Sequence, residues 1–487
     1  METLQFILII LIFLFSALAM FFRKIPALIA LPIMAFLIPL VSGVGLNNTL
    51  QLVIGQGAIK LHNAYTVVLF GSMLSVLLQK TRVAHQLIKY GAELAGDNPW
   101  TISLLMLLLI TLLFTSLSGL GAIIMVATIV LPILSAIGLS PVTIVGIFLI
   151  GLSMGGILNV SNWAVYIDVM NLNVHQIRQF ALPMFFLTFL MAMSYITIQL
   201  YRDGQNVPFK KILRNGLIFV MLLVGILVFF SAAPQNWIVP VNQLVNFTGL
   251  VFKYALAVFL IVAFLFSLKF ASRKKHSSSE EIYWTAYLSP LLPLLLILIF
   301  GMNFIAAFVC GLIFCYLSTY RRGHLNTFVG AILEGGSVVM PAVVLMLGIG
   351  MLLNAIMGPG GNFKDSWPVL ELLRPFMAQI VPGNGLTYVV LFGLAAPLAL
   401  YRGPLNIWGM GYGLAAVFLA SGMNPAAVMG LLMALGQVQG ISDPTNTHNV
   451  WLGNEMQVDV QKILWNTLPY SWAVAFLGLS IAAIMFY

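Results

Sequence analysis

Apolar runs of about 17–22 residues recur along the whole chain, starting with LQFILIILIFLFSALAMFF at 4–22. An α-helix rises ~1.5 Å per residue, so each run matches the ~30 Å hydrocarbon core of a bilayer. Only helices and closed barrels satisfy their own backbone hydrogen bonds in lipid. The weak alternation over about ten residues that marks a barrel strand is absent. The fold class is therefore an all-α polytopic membrane protein. Composition agrees: 61% of the 487 residues are hydrophobic and 7% charged, against about 25% charged in a soluble domain.

Spans are read near 4–22, 26–45, 64–81, 142–159, 180–201, 212–231, 249–269, 284–301, 303–320, 338–356, 425–441 and 467–486. Two further apolar regions, 101–137 and 386–421, are interrupted by SLSGLG (116–121) and YRGPLN (401–406). Each flank makes only ~24 Å of helix, short of the core thickness, so both regions read as re-entrant hairpins. The basic residues sort by side. Arg23, Lys24, Lys80, Arg82, Lys89, Arg202, Lys210, Lys211, Arg214, Arg273, Lys274, Lys275, Arg321 and Arg322 fall on one face, while 232–248 and 301–303 carry no charge. The positive-inside rule makes that face cytoplasmic and both termini extracytoplasmic, in the cell's inner or plasma membrane. The net charge of +9 thus reports topology and implies no nucleic-acid partner. Glu2 before the first run and Lys24 after it reverse the charge order of a signal peptide, so that run is a mature helix. SRKKHSSSEE (272–281) reads as a polar linker, and Cys310 and Cys315 as ordinary residues of one apolar helix.

The chain also repeats itself. Residues 118–162 shifted by 284 fall on 402–446 without a gap, pairing Gly119 with Gly403, Gly138 with Gly422, Pro141 with Pro425, Gly156 with Gly440 and Asn162 with Asn446. Upstream, NTLQLVIGQG (48–57) matches NTFVGAILEG (326–335). The domain reading is repeat one at 1–203 with its hairpin at 101–137, linking helices and linker at 204–283, and repeat two at 284–487 with its hairpin at 386–421. Each repeat has about five spans and a hairpin, and an odd number of crossings before repeat two would invert it. Inverted repeats with paired broken helices are an architecture of secondary transporters, whose sites lie where the breaks meet.

GGILNVSNWAVYIDVMNLNVHQI (155–177), YRGPLNIWGMG (401–411) and SDPTNTHNVWLGNE (442–455) resemble the broken-helix and hairpin-tip regions of the ion transporter superfamily, especially its gluconate permease and citrate–metal/proton symporter branches. SNW (161–163) and PTN (444–446) stand where its sodium-dependent dicarboxylate branch has Ser-Asn-Thr. The resemblance implies an elevator-like transporter that works as a homodimer.

A helix broken within the bilayer exposes backbone groups that must face a cavity, a ligand or protein. Ser116 and Ser118 at the first tip, Asn159, Ser161 and Asn162 at the first broken helix, and Asn406, Thr445 and Asn446 in repeat two offer uncharged donors and acceptors. They suit substrate oxygens, and equally the caps of the broken helices. Arg402 at the second tip offers a planar fork for a carboxylate; the same fork could pair with Asp443. Asp443 and His448 are the titratable groups nearest the breaks, and so the candidate proton-coupling pair, with an interfacial structural role open to His448. Asp168, Glu455 and Asp459 read as solvated members of short amphipathic returns, and Glu334 as scaffold.

The expected function is proton-coupled symport of a small organic anion, a sugar acid such as gluconate or a di- or tricarboxylate such as citrate. The alternative is a sodium-coupled carboxylate symporter. A cation/proton antiporter would need buried acids in both repeats, and repeat one offers only Asp168. No nucleotide loop, metal-ligand spacing or nucleophile–base pattern occurs, so neither enzyme chemistry nor a cofactor beyond the coupling ion is expected.

Overall fold

The computed structural model describes residues 2–22, 24–94, 96, 98–205, 210, 214, 216–218, 221, 235–273, 282–321, 323–359, 366–407 and 411–487. Repeat one begins with α1 (Glu2–Phe21) and α2 (Ala27–Val41), followed by a π-helical turn (Thr49–Gly55), α3 (His62–Lys80) and α4 (Val83–Leu94). A helix–break–helix unit, α5 (Pro99–Phe114) and α6 (Leu120–Ala136), leads into α7 (Pro141–Leu158), α8 (Val160–Met170) and α9 (Val174–Arg202). Then come α10 (Gln235–Arg273), α11 (Leu292–Leu298), α12 (Phe304–Ser318), α13 (His324–Met357) and α14 (Pro368–Ile380). The second helix–break–helix unit is α15 (Gly385–Ala395) and α16 (Tyr412–Ala420), before α17 (Pro425–Ser442), α18 (Thr447–Glu455) and α19 (Val460–Phe486). Among the described residues, eight helical stretches are long and apolar enough to cross a bilayer. The protein is an all-α, multi-pass membrane protein.

The two halves start and stop their central helices by the same local chemistry. Gly138 and Gly422 turn the chain at φ +79° and +86°, backbone that costs glycine nothing. Ser140 Oγ then accepts from Thr143 N at 3.4 Å, and Asn424 Oδ1 from Ala426 N at 2.9 Å. Pro141 and Pro425 occupy the first helical position, where a missing N–H is harmless. Both helices end after 18 residues at extended backbone: ψ is 114° at Asn159 and 112° at Asp443.

Packing shows how the halves are related. Gly57 and Gly335 differ by 278, as do Met73 and Met351. A Cβ on Gly57 would stand 2.6 Å from Met351 Cα, and one on Gly335 would stand 2.5 Å from Met73 Cα. These are one contact made twice, the mark of a local twofold axis. Along the first helical stretch the partners run downwards: Gly57 meets Met351, Met73 meets Gly335, and Lys80 pairs with Glu334 at 2.7 Å. The equivalent helices are antiparallel, so repeat two is inverted. A second pair lies on the same twofold: Ser153 Oγ donates at 2.8 Å to Oε1 of Gln437, its own equivalent 284 residues on.

Several stretches differ from the sequence reading. Residues 284–301 are not one span: a 3-10 turn at Trp284–Leu288 precedes the short α11, because Pro290 and Pro293 remove amide donors. The uncharged loop expected at 232–248 is helical from Gln235, and the span read at 338–356 starts at His324. Helices α4 and α14 are amphipathic segments that a search for fully apolar runs passes over. Most of the expected span 212–231 lies outside the described residues, as do 274–281 of the linker and the basic residues Arg23, Lys211, Lys274, Lys275 and Arg322.

Candidate functional site

At the first break, the carbonyls freed at the end of α7 are taken by side chains. Asn162 Nδ2 donates to Gly156 O at 2.9 Å and Trp163 Nε1 to Ile157 O at 2.7 Å. Asn159 Oδ1 accepts from Ser161 N at 2.9 Å, while its Nδ2 donates to Phe114 O at 2.9 Å and Leu117 O at 3.3 Å. That amide ties the break to the end of α5. The approach is permitted by Gly155, where a Cβ would stand 2.7 Å from Thr111 O.

The second break is wired alike but with reversed polarity. Asn446 Nδ2 donates to Gln439 O at 2.6 Å, His448 Nε2 lies 3.2 Å from Gly440 O, and Asn449 Nδ2 donates to Ile441 O at 3.0 Å. Asp443 is fully buried. Its Oδ1 accepts from Thr445 N at 2.9 Å, Thr445 Oγ1 at 2.7 Å and Tyr401 N at 3.1 Å, and its Oδ2 from Asn406 Nδ2 at 3.3 Å. Where Asn159 gives hydrogen bonds to its hairpin, Asp443 receives them. Gln439, which replaces Gly155 in this repeat, adds a further strut: its Oε1 accepts from Ile407 N at 2.8 Å.

The second tip is strained. Tyr401 and Arg402 both hold left-handed backbone, at φ +53° and +57°, each costing of order 1–3 kcal/mol. Gly403 follows because a Cβ there would meet Leu398 O at 2.1 Å. Arg402 is exposed and makes no ion pair with Asp443.

A cavity of about 300 Å³ lies between the breaks, walled by Ser118 and Gly119 from the first tip, Asn159 and Asn162 from the first break, Ile407 from the second tip and Asn446 from the second break. A volume of about 620 Å³ adjoins it, sharing Gly119, Gln439, Asn446 and His448 and adding Arg402, Asn406 and Thr445. Of the residues singled out from sequence, Ser118, Asn159, Asn162, Arg402, Asn406, Thr445, Asn446 and His448 line these two volumes. Ser116, Ser161 and Asp443 line neither. Ser116 Oγ donates to Pro290 O, Ser161 Oγ faces Gly71 of α3, and Asp443 is closed off by its four donors. Sequence reasoning passed over Gln437 and Gln439, which lie on the cavity wall. Their signal was present: two glutamines in GQVQG (436–440), inside an otherwise apolar helix, are costly unless they have partners.

The breaks lie against the cavity as half-helix termini, and among the described residues its lining carries amides, hydroxyls and one imidazole but no carboxylate. Such a wall solvates a polar or anionic solute, and among the described residues Arg402 supplies the single guanidinium of the adjoining volume.

No family model matches the chain, and no curated protein matches it in sequence. Its structure is similar to that of the Alcanivorax borkumensis YdaH transporter, with TM-score 0.53, 14% identity, and coverage of 90% of this chain and 88% of that one. The chain also aligns with MtrF of Neisseria gonorrhoeae, described with a class of antimetabolite efflux pumps, at TM-score 0.47, 13% identity and coverage of 92% and 85%. The YdaH likeness is one of fold, shared with a solved membrane transporter, and gives no support to the gluconate or citrate branches.

Proposed function

We propose that the protein is a secondary active transporter that imports a small organic anion with protons. One observation carries the reading: both helix breaks and both hairpin tips contribute amides, hydroxyls or backbone to the wall of a single, otherwise apolar cavity, in a chain whose halves are inverted on each other. Arg402 is the substrate's carboxylate partner, because a guanidinium exposed beside a cavity in apolar surroundings is costly until it meets an anion. Arg402, the one guanidinium among the described lining residues, favours a singly or doubly charged solute, such as a sugar acid like gluconate or a dicarboxylate, over a tricarboxylate like citrate. His448, on the wall of both volumes, is the imidazole placed to carry the coupling proton. Asp443 serves as the cap that holds the second tip against the second break. Insertion in the inner membrane with both termini outside follows from the charged loops; the elevator-like movement and the homodimer follow from the family resemblance.

The test is uptake of labelled gluconate and citrate into proteoliposomes under an imposed proton gradient. Arg402→Gln is expected to lower uptake by about tenfold or more, the value of a charge-assisted pair, with the unfolding midpoint unchanged. Undiminished uptake would remove Arg402 from the site. Uptake that requires sodium and ignores the proton gradient would transfer the coupling to sodium.

A further inference from the structure

Gln439 stands where the two volumes beside the breaks meet, and it lines both. The residue is only 5% exposed. Its amide is fixed end for end, because Oε1 accepts from Ile407 N at 2.8 Å and only an oxygen can meet an N–H. Nε2 is the end left over. It finds no acceptor among the described residues, yet it is not sealed from the cavity. A buried amide with unmet donors calls for an acceptor oxygen.

Two other amides on the wall are fixed the opposite way round. Asn162 Nδ2 is taken up by Gly156 O at 2.9 Å, and Asn446 Nδ2 by Gln439 O at 2.6 Å. A carbonyl only accepts, so Oδ1 is the open end of each, and no donor among the described residues reaches it. Asn446 even begins α18 without using Oδ1 as a cap, the ordinary role of asparagine at that position. The two residues are 284 apart, equivalent positions of the two halves, and both line the cavity of about 300 Å³.

The walls thus carry an unmet donor, on the volume that Arg402 also lines, and a pair of unmet acceptors. A carboxylate can only accept, so it satisfies Gln439 and Arg402 and never the asparagine oxygens. Those need hydroxyl hydrogens. With the cavity as the transporter's substrate site, a reading on which this one rests, we propose that Gln439 is a specificity-determining residue for a hydroxylated monocarboxylate. Nε2 donates to the carboxylate that Arg402 pairs with, and Oδ1 of Asn162 and of Asn446 accepts from hydroxyls along the substrate's chain. A bare dicarboxylate sets its second charge against acceptor oxygens and is rejected.

The test is titration calorimetry on the full-length protein in detergent, with gluconate, hexanoate and adipate as probes. They are equal in carbon count; gluconate adds hydroxyls to hexanoate, and adipate adds a second carboxylate. Gluconate is expected to bind at least about tenfold more tightly than either. Gln439→Glu keeps an oxygen for Ile407 N and puts a charged oxygen in place of the NH2, so gluconate binding weakens by at least about tenfold. As pH falls, the new carboxyl takes up a proton and becomes a donor again, and the deficit against the parental chain shrinks. Arg402 and His448, the other charged or titratable groups among the described residues lining that volume, are the same in both chains. A purely structural loss would not recover with acid. Should Gln439→Glu fail to fold, the comparison of probes on the parental protein still decides. Equal affinity for gluconate and adipate, no binding of any probe, a Gln439→Glu chain that binds gluconate as the parent does, or a deficit that persists in acid overturns the proposal. Gluconate bound in the expected pattern but not carried into proteoliposomes would leave the proposal standing and remove the transport reading.

Discussion

Asp443→Asn separates a capping carboxylate from a titrating one. The substitution retains Oδ1, so the bonds from Tyr401 N, Thr445 N and Thr445 Oγ1 survive. At Oδ2 a new NH2 faces Asn406 Nδ2 across 3.3 Å, donor against donor, though Asn406 keeps its bond to Ala399 O at 3.1 Å. The loss is one bond to a charged acceptor plus one misplaced buried donor, about 1–3 kcal/mol. Asp443→Ala goes further, because Tyr401 N and Thr445 N both lose the acceptor they use. Orphaning one buried and one part-buried amide costs about 2–4 kcal/mol. The measurements are thermal unfolding of the purified variants and proton-driven uptake in proteoliposomes. Asp443→Asn is expected to unfold at a lower temperature and still to transport, with Asp443→Ala lower again. A variant with the parental midpoint and no coupled uptake would refute the capping argument and make this carboxylate a proton carrier.

The reciprocal change in repeat one, Asn159→Asp, costs more than Asp443→Asn on the same unfolding assay, because Phe114 O and Leu117 O lose their donor and face a buried charge instead. Gly57→Ala and Gly335→Ala push a Cβ against equivalent backbone and each cost about 1–3 kcal/mol; strongly unequal losses would count against the twofold relation. A double-mutant cycle on Ser153→Ala and Gln437→Ala should return a coupling of about 0.5–1.5 kcal/mol, and zero coupling would mean that the bond on the axis is not formed. With His448 as proton carrier, uptake falls as rising pH strips the imidazole of its proton; His448→Gln flattens that profile, and an unaltered profile would take the role from it.

Much of this molecule is written in its local sequence. The lengths of the apolar runs set helix against bilayer. The turns at Gly138–Pro141 and Gly422–Pro425 start α7 and α17, and polar residues at 159–162 and 443–446 end them. Each of these depends on a few neighbouring residues and on the thickness of hydrocarbon, so one sequence suffices to read them. Which way a side chain points at a break is another matter, because a break has no period to project from. Ser116 and Ser118 are two residues apart and equally polar, yet the first bonds Pro290 O and the second lines the cavity. Arg402 and Asp443 look like an ion pair in one dimension; in three, the tip's own amides reach the carboxylate first and leave the guanidinium exposed. Gln437 turned out to sit on the twofold axis beside its own counterpart. These outcomes depend on which distant helix brings a carbonyl, an amide or a glycine within reach, and only the packed structure decides that.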